Sequence, residues 1–144
     1  MSLTTPYDPE NIFTKIIAGD MPCVKLYEDE DTLAFMDVFP QSEGHCLVVH
    51  KRAPATNMLT IDDDALAAVM RSVQKITKAV VAGLSPDGVR VVQFNGAAAG
   101  QTVFHLHFHV IPAYEGVPLG RHAGGGPADA ETLEPAAGKI RAAL

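Results

Sequence analysis

Phe104-His105-Leu106-His107-Phe108-His109-Val110-Ile111 is the stretch on which the reading of this 144-residue chain turns. In an extended strand successive side chains alternate between faces. The segment therefore sends three imidazoles to one side and Leu106, Phe108 and Val110 to the other, toward a core. Neighbouring imidazoles on that face are ~7 Å apart at their Cα atoms, near enough for the rings to converge on one ligand. Three readings compete for such a face: an exposed histidine-rich surface with no role, a zinc site built on His-x-His, and a nucleophilic imidazole oriented by its neighbours. No nearby carboxylate or thiolate completes a zinc set. Immediately upstream, Asn95-Gly96-Ala97-Ala98-Ala99-Gly100-Gln101-Thr102 supplies small residues and a hydroxyl that let backbone N–H groups approach a phosphate, which favours the third reading.

Outward from the triad, the chain alternates short strand signals with helical ones. Before it lie strand-like runs at about Val24–Glu28, Thr32–Asp37, Cys46–His50 and Gly88–Phe94, with the triad strand itself at about Val103–Ile111. Asp8-Pro9-Glu10 reads as a helix start with Asp8 as the cap, and Gly19 as the stop. The long helix runs from Ile61 to Leu84, closed by Gly83, with Leu66, Val69, Met70, Val73, Ile76 and Val80 on one stripe. A terminal helix spans about Ala128–Leu144, broken or shifted by Pro135, after a Gly/Pro-rich stretch with a triple glycine at Gly124–Gly126. The expectation is an α+β fold: a twisted antiparallel sheet of about five strands, one long helix and one or two short ones, with the helices on one face. Residues 1–144 read as a single domain with a core at about 8–112 and a tail at 113–144.

The bulk numbers narrow the function. A hydrophobic fraction of 47% and a charged fraction of 19% describe a globular chain with a proper core. A net charge of −6 speaks against a nucleic-acid-binding surface, so no nucleic-acid partner is expected. No apolar run is long enough for a membrane span and no basic-then-apolar leader opens the chain. Cys23 and Cys46 lack C-x-x-C spacing and read as reduced thiols of a cytoplasmic protein.

Gly100-Gln101-Thr102-Val103-Phe104 followed by His-Leu-His-Phe-His-Val-Ile resembles the signature of the histidine triad (HIT) superfamily, His-φ-His-φ-His-φ-φ with φ apolar. The resemblance extends through Ile12-Phe13-Thr14-Lys15-Ile16-Ile17, Ala34-Phe35-Met36-Asp37 and Gly44-His45-Cys46-Leu47-Val48-Val49. It covers roughly residues 10 to 112, and the nearest branch is the HINT-type nucleoside phosphoramidases and nucleotide-binding proteins. The resemblance implies that His107 is the nucleophile attacking an α-phosphorus and forming a nucleotidyl-histidine. It implies further that His109 contacts phosphate and leaving group, and that His105 and His45 position the nucleophile. Asp37 is then the ribose-binding acid, Phe13, Ile16, Phe35 and Val38 line a purine slot, Gln101 and Thr102 meet the phosphate, and Asn95 is a further phosphate candidate. On the residues alone Asp37 reads instead as a turn-capping aspartate before Phe39-Pro40, and the apolar four as plain core.

The sequence also departs from the family. Asn11 and Thr14 stand where members with a structural zinc carry cysteines. His50-Lys51-Arg52-Ala53 replaces Pro-Lys-x-His, Phe94-Asn95 replaces polar residues, and Ala113 follows Val-Ile-Pro where arginine is frequent. The expected activity is hydrolysis of a purine nucleoside 5′-monophosphate (AMP- or GMP-linked) joined to an amine, with no metal and no cofactor. The alternatives are a dinucleoside polyphosphate hydrolase and a nucleotide-binding or interaction protein with incidental turnover. The resemblance also implies a homodimer, joined through the 61–84 helix and a sheet edge.

Overall fold

A computed structural model of the chain describes residues 2–121 and 126–144. Its elements run α1 (Ile12–Ala18), β1 (Lys25–Glu28), β2 (Thr32–Met36), β3 (Cys46–His50), α2 (Asp63–Leu84), β4 (Gly88–Val92), a 3-10 turn (Ala97–Ala99), β5 (His107–Ala113) and α3 (Ala130–Ala142). The five strands form one antiparallel sheet in the order β1-β2-β3-β5-β4, as the strand signals predict.

Register divides the sheet into two chemically distinct faces. Val48 pairs with both Ala34 and Phe108, and these side chains join Met36, Cys46 and Val110 in one buried cluster with α2 and α3. On the opposite face Leu33, Phe35, Leu47 and Val49 cluster with Phe13 of α1. Leu47 faces His109 and Val49 faces His107 across the ladder, which assigns those two histidines to the α1 face. Helices therefore cover both faces, not one. The correction has a simple cause: β2 and β3 are buried along their whole length, so each face needs a cover, and α1 supplies the second.

The helix ends also differ from expectation. Asn11, not Asp8, caps α1 by accepting the Thr14 N–H; the Asp8 carboxylate is taken by the Glu10 N–H in the turn before it. Gly19 stops α1 as expected, in the left-handed region at φ 85°. Asp62 caps α2 through the Ala65 N–H, and the stop is Ser85 at φ 50° rather than Gly83. Gly83 lies inside the helix because the α3 backbone crosses it: a Cβ there would sit 2.5 Å from the Lys139 carbonyl oxygen. Val69, Val73, Ile76 and Val80 are buried along α2 as the stripe predicts, but Met70 is exposed and small residues take its share.

In α3, Pro135 neither breaks nor shifts the helix. It points to solvent, and the carbonyl it cannot serve is that of Glu131, exposed in the first turn. Leu133, Ala137 and Ile140 join the α2 cluster, and the Arg141 side chain donates to the Lys25 carbonyl at 2.7 Å. The tail is thus docked on the core. Of the triple glycine, Gly124 and Gly125 lie outside the described residues.

Candidate active site

β5 begins at His107, four residues later than the expected strand start at Val103. The ladder with β3 stops at the Val49–His107 pair, because the Leu106 N–H turns away to the Ala55 carbonyl at 2.9 Å. His105 therefore lies off the strand, yet its ring still packs on the same side. The Phe13 ring is 4.9 Å from that of His107 and 6.1 Å from that of His105, and His107 and His109 are 5.0 Å apart, centroid to centroid. All three imidazoles are buried.

Hydrogen-bond partners that can only donate or only accept determine where each ring carries its proton. The Nδ1 of His107 lies 2.7 Å from the His105 carbonyl oxygen, so Nδ1 holds the hydrogen and Nε2 is the basic nitrogen. The Nε2 of His105 lies 3.1 Å from the His50 carbonyl and carries its hydrogen, so its Nδ1 accepts the Tyr7 hydroxyl at 2.8 Å. His45 Nδ1 accepts the Gln41 N–H at 3.0 Å, so its Nε2 donates toward His109 Nδ1 at 2.9 Å, with the Asp37 carboxylate 3.2 Å away. His109 consequently carries its hydrogen on Nε2. One imidazole presents a lone pair and its neighbour presents an N–H: a base and an acid on adjacent positions of one strand face. Burial also drives the pKa of His105 down to about 4, which keeps that ring neutral.

His107 and His109 open onto a cavity of about 140 Å³ lined by Ile12, Phe13, Ile16, Cys23, Phe35, Asp37, Val38 and Thr102 among others. Six expected site residues thus come together there: Phe13, Ile16, Phe35, Val38, Asp37 and Thr102. Asp37 also caps its turn, as the alternative reading had it, through Oδ1 and the Phe39 N–H at 2.8 Å. Gln101 and Asn95 are used differently. The Gln101 amide accepts the Gly96 N–H and donates to the Thr56 and Val103 carbonyls, bracing the loop from within. The Asn95 side chain accepts from the Met58 N–H and from Gln93. Neither residue lines the cavity. Cys23, Pro22 and Val103 line it without having been foreseen, and Tyr7 and Gln41 fix histidine tautomers; a half-apolar loop and a backbone N–H leave no pattern in sequence.

Asp37, His45 and His109 place three donor atoms within reach of one metal ion. Their separations of 2.9, 3.2 and 3.8 Å match the ~3.4 Å edges of a tetrahedral zinc site with ~2.1 Å bonds. The second nitrogen of a metal-bound neutral imidazole must donate, however, and His45 Nδ1 faces the Gln41 N–H, itself a donor. The donor set suits a proton relay better than a metal. Elsewhere, a larger hollow of about 500 Å³ beside the start of α2 is walled by charged side chains, of which Arg52 pairs with Asp31.

An α+β fold that brings His-x-His-x-His to one side of its sheet, with His107 and His109 at an apolar cleft and the outer two rings each tied to a partner, defines a histidine-triad protein. The chain belongs to the HIT family, whose HIT domain matches residues 18–116. It is 46% identical over 101 residues to adenosine 5'-monophosphoramidase hnt1 of Schizosaccharomyces pombe, covering 70% of this chain and 72% of that one. It is 39% identical over 107 residues to adenylylsulfatase HINT3 of Arabidopsis thaliana, covering 72% of this chain and 52% of that one. Among solved structures it is similar to a Hit-like protein involved in cell-cycle regulation from Bartonella henselae. That similarity has a TM-score of 0.88 at 48% identity and covers 96% of this chain and 99% of that one.

Proposed function

We propose that this chain is a nucleotidyl hydrolase that opens the P–N bond of a purine nucleoside 5′-phosphoramidate. The observation that carries the proposal is the 2.7 Å bond from His107 Nδ1 to the His105 carbonyl, which leaves Nε2 with the lone pair for attack. In the first step, which the His45–His109 pair enters with one added proton beside the Asp37 carboxylate, His107 Nε2 forms a bond to the α-phosphorus as the P–N bond breaks, and His109 Nε2–H gives its proton to the departing amine, returning the pair to neutral. In the second, water attacks the nucleotidyl-histidine, His109 Nε2 takes its proton, and His107 leaves with its lone pair. His45 holds the acid through its donated N–H, and the nearby Asp37 carboxylate offsets positive charge on that pair. The apolar cavity beside Phe13, Ile16 and Phe35 fits a purine face, and Asp37 and Thr102 on its wall suit the ribose and phosphate.

An amine leaving group is favoured over a polyphosphate by what surrounds the acid. The Phe94 ring packs edge-on to His109 at 5.6 Å and Ala113 ends the strand, while the cation on the neighbouring strand, Arg90 opposite Ile111, does not line the cavity. Lys51 is held by Glu28 and Arg52 by Asp31, and neither lines the cavity. A departing polyphosphate brings several negative charges toward a chain of net charge −6. Hence kcat/KM for an adenosine phosphoramidate should exceed that for a dinucleoside tetraphosphate by at least ~100-fold, or about 2.7 kcal/mol, at fixed ionic strength. Equal or reversed values move the protein to the polyphosphate-hydrolase branch.

The same reading includes a cytoplasmic location, consistent with the free thiols Cys23 and Cys46. Among the described residues no helix is long and apolar enough to cross a membrane. It also includes a homodimer. The expected contact shifts from the α2 stripe, which is buried within the chain against the sheet and α3, to the β4 edge, where Val91 is 42% exposed.

A further inference from the structure

The carbonyl that sets the tautomer of the nucleophile belongs to a residue outside the sheet. His105 precedes the first residue of β5, so no ladder bond to β3 fixes the direction of its carbonyl. The residue is held instead by its own ring, which is 2% exposed and tethered at both nitrogens. Nε2–H donates to the His50 carbonyl at 3.1 Å, and Nδ1 accepts the Tyr7 hydroxyl hydrogen at 2.8 Å. The phenol oxygen lies 3.1 Å from Thr14 Oγ1, which donates to it once the tyrosine hydrogen is committed to His105. Tyr7 sits on an N-terminal segment that precedes the HIT-matched residues 18–116. That segment is pinned across the site by the Asn57 side chain at the Leu3 carbonyl (3.0 Å) and by the Thr56 hydroxyl at the Thr5 carbonyl (3.3 Å).

We propose that Tyr7 is a positioning residue for the reaction: its hydroxyl locks the His105 ring, and through the His105 carbonyl it keeps the His107 hydrogen on Nδ1 and the lone pair on Nε2. The N-terminal segment is then part of the working site rather than a surface strap. The proposal rests on the hydrolase reading for its kinetic consequence but not for its structural one. A neutral imidazole in water has both tautomers within easy reach, so holding the reactive one depends on such fixed partners.

Tyr7→Phe deletes the hydroxyl and keeps the ring that packs beside His105. Two measurements test it. On an adenosine phosphoramidate, kcat should fall about tenfold while KM stays within about twofold, because nucleotide contacts are untouched. In two-bond 1H–15N ring spectra, which need no substrate, the wild type should show His105 as the Nε2–H tautomer and His107 as the Nδ1–H tautomer. The variant should show His107 as a mixture. Thr14→Val, which removes only the partner of the phenol, should shift both readouts the same way by less, and it carries the test if Tyr7→Phe does not fold. A kcat within twofold of wild type, or a lower kcat with the His107 tautomer unchanged, overturns the proposal. If the wild type hydrolyses no phosphoramidate while the ring spectra change as stated, the hydrolase reading fails and the role of Tyr7 in positioning stands.

Discussion

His107 and His109 occupy equivalent places on one strand face, yet their partners give them opposite chemistry. A backbone carbonyl can only accept, so it fixes the Nδ1 hydrogen of His107; His45, itself fixed by the Gln41 N–H, donates to His109. His107→Asn should therefore abolish turnover while nucleotide binding, followed by calorimetry, persists; more than a few per cent of wild-type kcat would reassign the nucleophile. Removing His109 should slow turnover in proportion to how poor the leaving amine is, which a series of amines of rising pKa would read out. His105 carries a consequence for stability. Its pKa falls from an unfolded value near 6.5 to about 4 in the fold, so the unfolded chain binds the proton more readily. Its contribution is fully present above about pH 6.5, is lost as pH falls toward 4, and levels off below that. Denaturation curves of wild type and His105→Asn, compared at about pH 7.5 and about pH 5, should show the gap between them shrink by about 2 kcal/mol on acidification.

Two helical glycines make a test of how elements meet. Both lie within helices, Gly138 inside α3 and Gly83 in the last turn of α2, where alanine ordinarily gains up to ~1 kcal/mol over glycine. A Cβ at Gly138 meets nothing within 4 Å, so Gly138→Ala should raise stability by about 0.5–1 kcal/mol in urea titrations. At Gly83 the added carbon lies 2.5 Å from the Lys139 carbonyl oxygen, and backbone cannot rotate aside as a side chain can. Gly83→Ala should instead cost about 1–3 kcal/mol, and a gain there would mean α3 does not rest on α2 as described. The same crossing explains why Gly83 does not end α2. A glycine near the end of a helical pattern marks a stop when the chain must turn left-handed, but here Ser85 makes the turn and Gly83 makes room.

At the scale of the molecule, β4 is the last strand of the sheet and carries the exposed Val91, an edge that a second copy can extend. Sedimentation equilibrium should find a dimer, and Val91→Lys should return a monomer with its site chemistry intact in the ring spectra. Much of this fold was legible beforehand because local rules dominate it. Short strand-like runs marked all five strands, the α2 stripe marked its buried face, and His-x-His-x-His placed His107 and His109 on one side of a strand. The cap and end residues depart from expectation where a tertiary neighbour intervenes, as at Gly83, or where a later residue makes the cap, as Asn11 does in place of Asp8. Gln101 and Asn95 show the limit of such reading, because an amide beside a phosphate and an amide bracing the loop look alike in sequence, and only the fold shows the bracing bonds. The sequence by itself determined which residues are apolar, which alternate and which can titrate, since these follow from residue type and spacing. Only the tertiary structure decided which nitrogen of each histidine bears its hydrogen. That choice belongs to partners such as Tyr7, Gln41 and the His50 carbonyl, brought from distant parts of the chain by a sheet that pairs β3 with β5.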